Sequence, residues 1–187
     1  MVNTEVKQKY IICDIDGCLI KSGWIWFFIN GMKFEENVAF DMFNRMANAE
    51  ANSIDKPLLN FLRLKLIGGY KIIFLTARSE IIETETINFI QKKTGLIYGK
   101  EFSINSRPAT DLTDSAESKR IRLEGLIDSG KEIEFAIDDE DAIIAMYEKK
   151  GIRAIKWQNG FILVSVATEF NGKINILLEV KEEASTN

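Results

Sequence analysis

Residues 10–20 read Y-I-I-C-D-I-D-G-C-L-I. Tyr10 to Cys13 follow one another without polar alternation, the pattern of a strand buried on both faces of a parallel sheet. The run then breaks into Asp14-Ile15-Asp16-Gly17. Two carboxylates two residues apart at the end of a buried strand are costly to desolvate. They are read as a chemical pair, with Asp14 a candidate nucleophile toward phosphorus and Asp16 a candidate proton carrier.

Composition narrows the alternatives. A chain of 187 residues suits one domain, and 46% hydrophobic with 28% charged residues describes an ordinary globular protein. No apolar run approaches the ~20 residues of a membrane helix, and Met1 to Gln8 lacks the apolar core of a secretory signal. The two cysteines, Cys13 and Cys18, flank the acidic pair and are not placed for a structural bridge, which fits a reducing, cytoplasmic setting. The absence of histidine excludes Ser-His and Cys-His nucleophile systems and His-based zinc sites. No P-loop sequence is present. A net charge of -4 argues against generic coating of nucleic acid, while leaving room for a local basic rim.

Outward from residues 10–20, the chain alternates strands and helices. After Lys21-Ser22-Gly23 comes an aromatic cluster, Trp24, Trp26, Phe27 and Phe28, with Asn30-Gly31 read as a turn. Phe34 to Ala49 has helical periodicity, and a second helix is expected from near Asp55, with Pro57 in its first turn and Gly68-Gly69 as its stop. Lys71 to Leu75 is a buried strand ending in Thr76-Ala77-Arg78. A helix through Phe89 and Ile90 stops at Gly95, and a weaker strand lies at Phe102 to Asn105. A loop over 106–115 leads into a helix to about Ile127. Ile133 to Ile137 is a strand ending in Asp138-Asp139, followed by a helix over 140–150 and a strand over 152–157.

This alternation predicts an α/β fold: a mostly parallel, Rossmann-like sheet with helices on both faces. Residues 21–68 form a small helical insertion after the first strand. Phe161 to Thr168 and Lys173 to Val180, separated by Asn171-Gly172, read as a C-terminal β-hairpin over 161–180, with 181–187 as a tail and 1–187 as one domain. Ligands bind such sheets beyond the carboxyl ends of their strands. Three of those ends carry Asp14/Asp16, Thr76 and Asp138/Asp139.

Four converging acids repel by about 4 kcal/mol per pair at ~4 Å and an effective dielectric near 20, so a cation is required. Oxygen-only ligands of this hardness select Mg²⁺. Thr76 offers a hydroxyl and Ala77 a backbone N–H to a phosphate, and Lys119, near a helix start, offers a neutralising charge.

The motifs D-I-D-G-C, L-T-A-R, S-K-R and A-I-D-D, in that order, resemble the four motifs of the haloacid dehalogenase phosphohydrolase superfamily, over about Tyr10 to Gly160. Residues 69–80 and 136–161 resemble the 3′-phosphatase domain of phage-type polynucleotide kinase/phosphatases. The resemblance implies a Mg²⁺-dependent phosphomonoesterase working through an aspartyl-phosphate. Asp14 would be the nucleophile and Asp16 the acid/base, with its backbone carbonyl on the metal. Thr76 and Lys119 would hold the phosphate, and Asp138 would ligate the metal with Asp139 beside it. Cys18 stands where the family usually has threonine. Lys119 lies in a basic run with Arg120 and Arg122, so which of these cations serves the phosphate stays open.

Glu140 and Asp141 are read as helix N-terminal acids rather than ligands. Arg78 and Arg107 are candidates for steering a polyanion at the active edge. Trp24 and Trp26 are read as core or interface, with base stacking as the other possibility. Only 59 residues separate Asp16 from Thr76 and 42 separate Thr76 from Lys119, so neither gap holds a large lid. By analogy with the superfamily, an open site suits bulky substrates, and the expected partner is a phosphorylated end of a nucleic acid. The alternatives are a small nucleotide or sugar phosphate, or a catalytically silent domain that binds phosphorylated ends; homo-oligomers are compatible with each.

Overall fold

The computed structural model describes residues 7–32, 36–158 and 161–163. Its strands are β1 (Lys9–Cys13), β2 (Ile20–Lys21), β3 (Ser53–Ile54), β4 (Lys71–Ser79), β5 (Phe102–Arg107), β6 (Glu132–Asp138), β7 (Ala154–Gln158) and β8 (Phe161–Leu163). Its helices are α1 (Gly23–Met32), α2 (Glu36–Met46), α3 (Lys56–Ile67), α4 (Glu83–Thr94), α5 (Ser115–Asp128) and α6 (Asp141–Lys149).

The main sheet has the order β5-β4-β1-β6-β7-β8, parallel except for the last pair. β1 lies at its centre, bonded to β4 on one side and β6 on the other. Continuous apolar strands suit this position because helices cover both faces. Ile11, Cys13, Ile72, Phe74 and Phe135 point into one core with Leu58, Leu62 and Phe89 of α3 and α4. Ile12, Ile73, Leu75 and Ala136 point into the other with Leu123, Ile143 and Tyr147 of α5 and α6. Ile11 and Ile12 are fully buried, and each such side chain is worth roughly 1.5–3 kcal/mol of transfer free energy.

The expected mostly parallel α/β sheet is observed. Asp55 caps α3 by accepting from the Leu58 N–H at 2.9 Å, with Pro57 just inside. Gly95 ends α4 in the left-handed region at φ 73°. β7 and β8 form the C-terminal antiparallel strand pair. The expected partner run, Lys173 to Val180, and the tail lie outside the described residues.

Two local expectations change. Asn30-Gly31 is not a turn but lies inside α1. Ile25 and Ile29, one turn apart, bury against Phe43 and Ala47 beyond α2's start, and that packing overrides the local turn preference. The short antiparallel pair β2–β3, with Ile20 opposite Ile54, had no sequence signal. Between β1 and β4 the chain thus places α1, α2 and α3 with this two-residue ladder.

Candidate active site

The carboxyl ends of β1, β4 and β6 meet at one edge of the sheet. Asp14 follows β1 directly and its N–H donates to the Ile137 carbonyl at 2.9 Å, which fixes its backbone beside β6. Asp14 is 4% exposed. Lys119, in the second turn of α5, reaches between the strand ends. Its Nζ donates to Asp14 Oδ1 at 2.6 Å and to Asp138 Oδ2 at 2.8 Å. Lys119 and Asp138 are both buried. Burial works against the lysine's charge, but Asp14 and Asp138 outweigh it and hold its pKa well above the usual value.

One lysine faces three acids. Burial pushes the Asp14 carboxyl upward, Lys119 pulls it back, and Asp138, Asp139 and Asp16 push it up again. Asp139 is pushed up to about 6, by burial first and Asp138 second. Asp138 has both oxygens engaged, Oδ2 with Lys119 and Oδ1 with the Glu140 N–H at 3.2 Å. Ligand atoms of Asp14, Cys18 and Asp139 lie within 4.8 Å of one another.

Gly17 makes this closeness possible. Its φ is 82°, and a Cβ there would sit 2.0 Å from Asp139 Oδ2. The residue is therefore glycine for two reasons, conformation and space. The unbalanced negative charge of these converging carboxylates fits a small hard cation with oxygen ligands. Cys18 is buried beside the same acids, and burial pushes its thiol well up.

Asp16 turns away from this cluster. Arg78 Nε donates to Asp16 Oδ2 at 2.7 Å and its Nη2 to Oδ1 at 2.8 Å, a bidentate pair, while Ser22 Oγ donates to Oδ1 at 2.7 Å. Arg78 is 1% exposed. Its remaining donors go to Asn48 Oδ1 at 2.7 Å, the Ala47 carbonyl at 3.0 Å and Thr86 Oγ1 at 3.4 Å. Arg78, a candidate from the sequence for steering a polyanion, is placed inside the protein, tying Asp16 to the end of α2 and to α4.

Thr76 is buried at the edge, and its Oγ1 accepts from the Arg78 N–H at 3.2 Å; Ala77 beside it is half-buried. Arg107 is not drawn into the acid cluster. It donates to the carbonyls of Asp111, at 3.1 Å, and Thr113, and lies 5.5 Å from the Phe40 ring centre, so it shapes the loop after β5. Of the basic run, only Lys119 enters the acid cluster among the described residues. Arg120 pairs with Glu117 and Glu124, while Arg122 donates to the carbonyls of Thr76 and Asn105 at 2.8 and 2.7 Å. Burial holds the Arg122 pKa down to about 10. Glu140 takes the N-cap position of α6 without a side-chain cap bond, and Asp141 pairs with Lys156 at 2.6 Å.

Ser22 and Asn48 are not legible in the sequence as site residues, and Arg122, an alternative to Lys119 in the sequence, turns instead to the carbonyls of Thr76 and Asn105. Ser22 carries a weak signal, lying six residues past Asp16. Asn48 carries none, because only the path of α2 brings it under β4.

Comparison with solved structures bears on the fold. A chain of a Pnkp1/Rnl/Hen1 RNA repair complex superposes with a TM-score of 0.61 at 21% identity, over 81% of this chain and 43% of that one. CbbY from Rhodobacter sphaeroides, with phosphate, matches with a TM-score of 0.55 at 11% identity over 87% of this chain and 90% of that one. A haloacid dehalogenase-like hydrolase from Streptococcus pneumoniae matches with a TM-score of 0.52 at 10% identity, over 79% and 83% of the two chains. The chain has a haloacid dehalogenase-like fold. It spans less than half the length of the matching RNA repair chains. No family model matches this sequence, and no curated protein matches it. Within the haloacid dehalogenase-like fold, Asp14, Thr76, Lys119 and Asp138 occupy the carboxyl edge where such sheets hold ligands.

Proposed function

We propose that the chain is a Mg²⁺-dependent phosphatase acting through an aspartyl-phosphate, with phosphorylated 3′ ends of polynucleotides as substrates. The observation that carries the reading is Lys119 bridging Asp14 and Asp138 at 2.6 and 2.8 Å, inside a cluster that has more acid than base.

Asp14 attacks phosphorus through the oxygen that Lys119 does not hold. The P–O ester bond breaks as the O–P bond to Asp14 forms, and the leaving oxygen takes a proton from Asp16. In the second half, Asp16 takes a proton from water, the water oxygen bonds to phosphorus, and Asp14 leaves as a free carboxylate with inorganic phosphate released. Thr76 Oγ and the Ala77 N–H donate to the phosphate oxygens, and Lys119 offsets their charge. Both Asp16 oxygens accept from Arg78 in the observed arrangement, so proton donation requires that clamp to open. Asp14 and Asp139, with Asp138 behind them and the Asp16 carbonyl as a further donor, would hold Mg²⁺. When bound, the ion would supply neutralisation of the phosphate charge.

The polynucleotide part of the reading is supported by the likeness to the RNA repair chains and by the absence, among the described residues, of a large covering domain between β1 and β4 or between β4 and α5. The test is phosphate release from a 3′-phosphorylated oligonucleotide with Mg²⁺, set beside nucleotide and sugar monophosphates and beside Asp14→Asn. Release from the oligonucleotide by the native protein alone is expected. Equal release by Asp14→Asn would overturn the mechanism, and preference for a monomer would overturn the substrate.

A further inference from the structure

α1 is a helix of ten residues without a charged side chain, and it opens one residue after Ser22, whose hydroxyl binds Asp16. Its inner face, Ile25 and Ile29, is buried against the region of α2. Trp24, Phe27 and Phe28, at i, i+3 and i+4, share the opposite face, where Trp24 is 41% and Phe27 85% exposed. Such a concentration of aromatic surface on one exposed face calls for an occupant.

Trp24 is exposed but not free. Its indole Nε1 donates to Asn52 Oδ1 at 2.7 Å, and Asn52 is 1% exposed. Asn52 donates in turn to the carbonyls of Met46 and Ala47, at 3.1 and 2.8 Å, and the Ala47 carbonyl also accepts from Arg78, which holds Asp16. A buried polar chain thus fixes the ring plane of a surface tryptophan in the same frame as the catalytic acid. Packing alone does not require this, since a partly exposed tryptophan can hydrogen-bond to water.

We propose that Trp24, with Phe27 and Phe28 beside it, is a stacking shelf for the unpaired bases that precede the phosphorylated 3′ end. The inference rests on the polynucleotide reading above. Three features choose bases over another apolar occupant. The exposed side chains are rings rather than branched aliphatics, the ring nearest the site is pinned in orientation, and the shelf begins beside the acid that would serve the terminal phosphate. Stacking on aromatic faces is tolerant of base identity, so the shelf would secure a strand end without reading its sequence. With no charge on α1, phosphate contacts fall to the catalytic edge and the bases to the helix.

The test measures binding rather than turnover, so it remains informative if the phosphatase reading fails. Asp14→Asn protein is titrated with a labelled, 3′-phosphorylated single strand, and with the same strand carrying abasic residues in its last positions. Loss of the bases is expected to weaken binding roughly five- to 150-fold. Trp24→Ala in the same background is expected to lose that preference, and Trp24→Phe to keep part of it. Phe27→Ala, which removes a ring with no hydrogen bond, serves if Trp24→Ala does not fold. Equal affinity for the two strands, or an equal loss on both with Trp24→Ala, would overturn the shelf. So would light scattering that shows a dimer split by Phe27→Ala, because a second copy would then cover the face. Failure of the phosphatase reading shows separately, as no phosphate release by the native protein from any strand.

Discussion

Arg78 and Asp16 lie 62 residues apart in sequence and form two parallel hydrogen bonds of 2.7 and 2.8 Å, with the arginine 1% exposed. The pair joins β4 to the loop after β1, and through Asn48 and Ala47 it joins both to the end of α2. It restrains the candidate acid/base and anchors the helices between β1 and β4 to the sheet.

Arg78→Lys should therefore not be conservative. A lysine cannot reproduce the planar fork, and Asn48, Thr86 and the Ala47 carbonyl would lose a shared donor. A loss of about 2–4 kcal/mol is expected in urea unfolding. The kcat for phosphate release should change as well, because Arg78 forms the clamp that Asp16 must open for proton donation. Unchanged kcat in a folded Arg78→Lys protein would remove Arg78 from the mechanism.

Lys119→Met should act on both stability and turnover. It leaves Asp14 and Asp138 buried without their shared cation, an arrangement that costs roughly 3–5 kcal/mol when a buried pair is broken. Phosphate release should drop a hundredfold or more. Arg120→Gln, whose ion-pair partners among the described residues are Glu117 and Glu124 on the surface, should leave urea unfolding nearly unchanged. Comparable losses in the two variants would mean that Lys119 is not the site's cation.

Metal linkage provides an assay that does not depend on substrate. A ligand that binds the folded state at a hundred times its Kd adds about 2.7 kcal/mol, so Mg²⁺ should raise the melting temperature and EDTA should reverse the rise. Asp139→Asn should abolish most of that response. Gly17→Ala should abolish it as well and lower stability by about 2 kcal/mol or more, since the added Cβ would meet the Asp139 carboxylate and φ is 82°. A full Mg²⁺ response in Asp139→Asn would shift the ligand role to Asp138.

Much of this was legible in residues 10–20 and in the order of the later motifs. Parallel strands buried on both faces must be continuous apolar runs, so β1, β4 and β6 declare themselves, and acids where those runs end stand out against their cost. The destination of Arg78 was not legible. Local sequence places an arginine at a strand end but does not say whether it turns outward or back beneath α2, because its partners Asn48 and Thr86 are set by tertiary packing. The sequence leaves Trp24 between core or interface and base stacking for the same reason. The hydrogen bond to Asn52, which lets it stand at the surface in a fixed pose, depends on the turn after α2.

The loop after β5 gives a pH-dependent prediction away from the acid cluster. Asp111 accepts from the hydroxyls of Ser118 and Thr113 and from the Thr113 N–H at 2.9 Å, with Arg107 alongside. The Ser118 hydroxyl first, then the Thr113 hydroxyl, hold its carboxyl down to about 2, against about 3.9 for an unperturbed aspartate. A carboxyl lowered on folding stabilises the native state above its unfolded value and loses that contribution as pH falls through the folded value. The contribution should be complete above about pH 5 and decline between about pH 4 and 2. With its side chain 16% exposed, a discounted figure of about 1–2 kcal/mol is expected. Urea unfolding of the native protein and Asp111→Asn should therefore differ by that amount at pH 7, and the gap should narrow as pH falls from 4 toward 2. A gap that stays constant down to pH 2 would mean that Asp111 acts through packing of the loop and not through its charge.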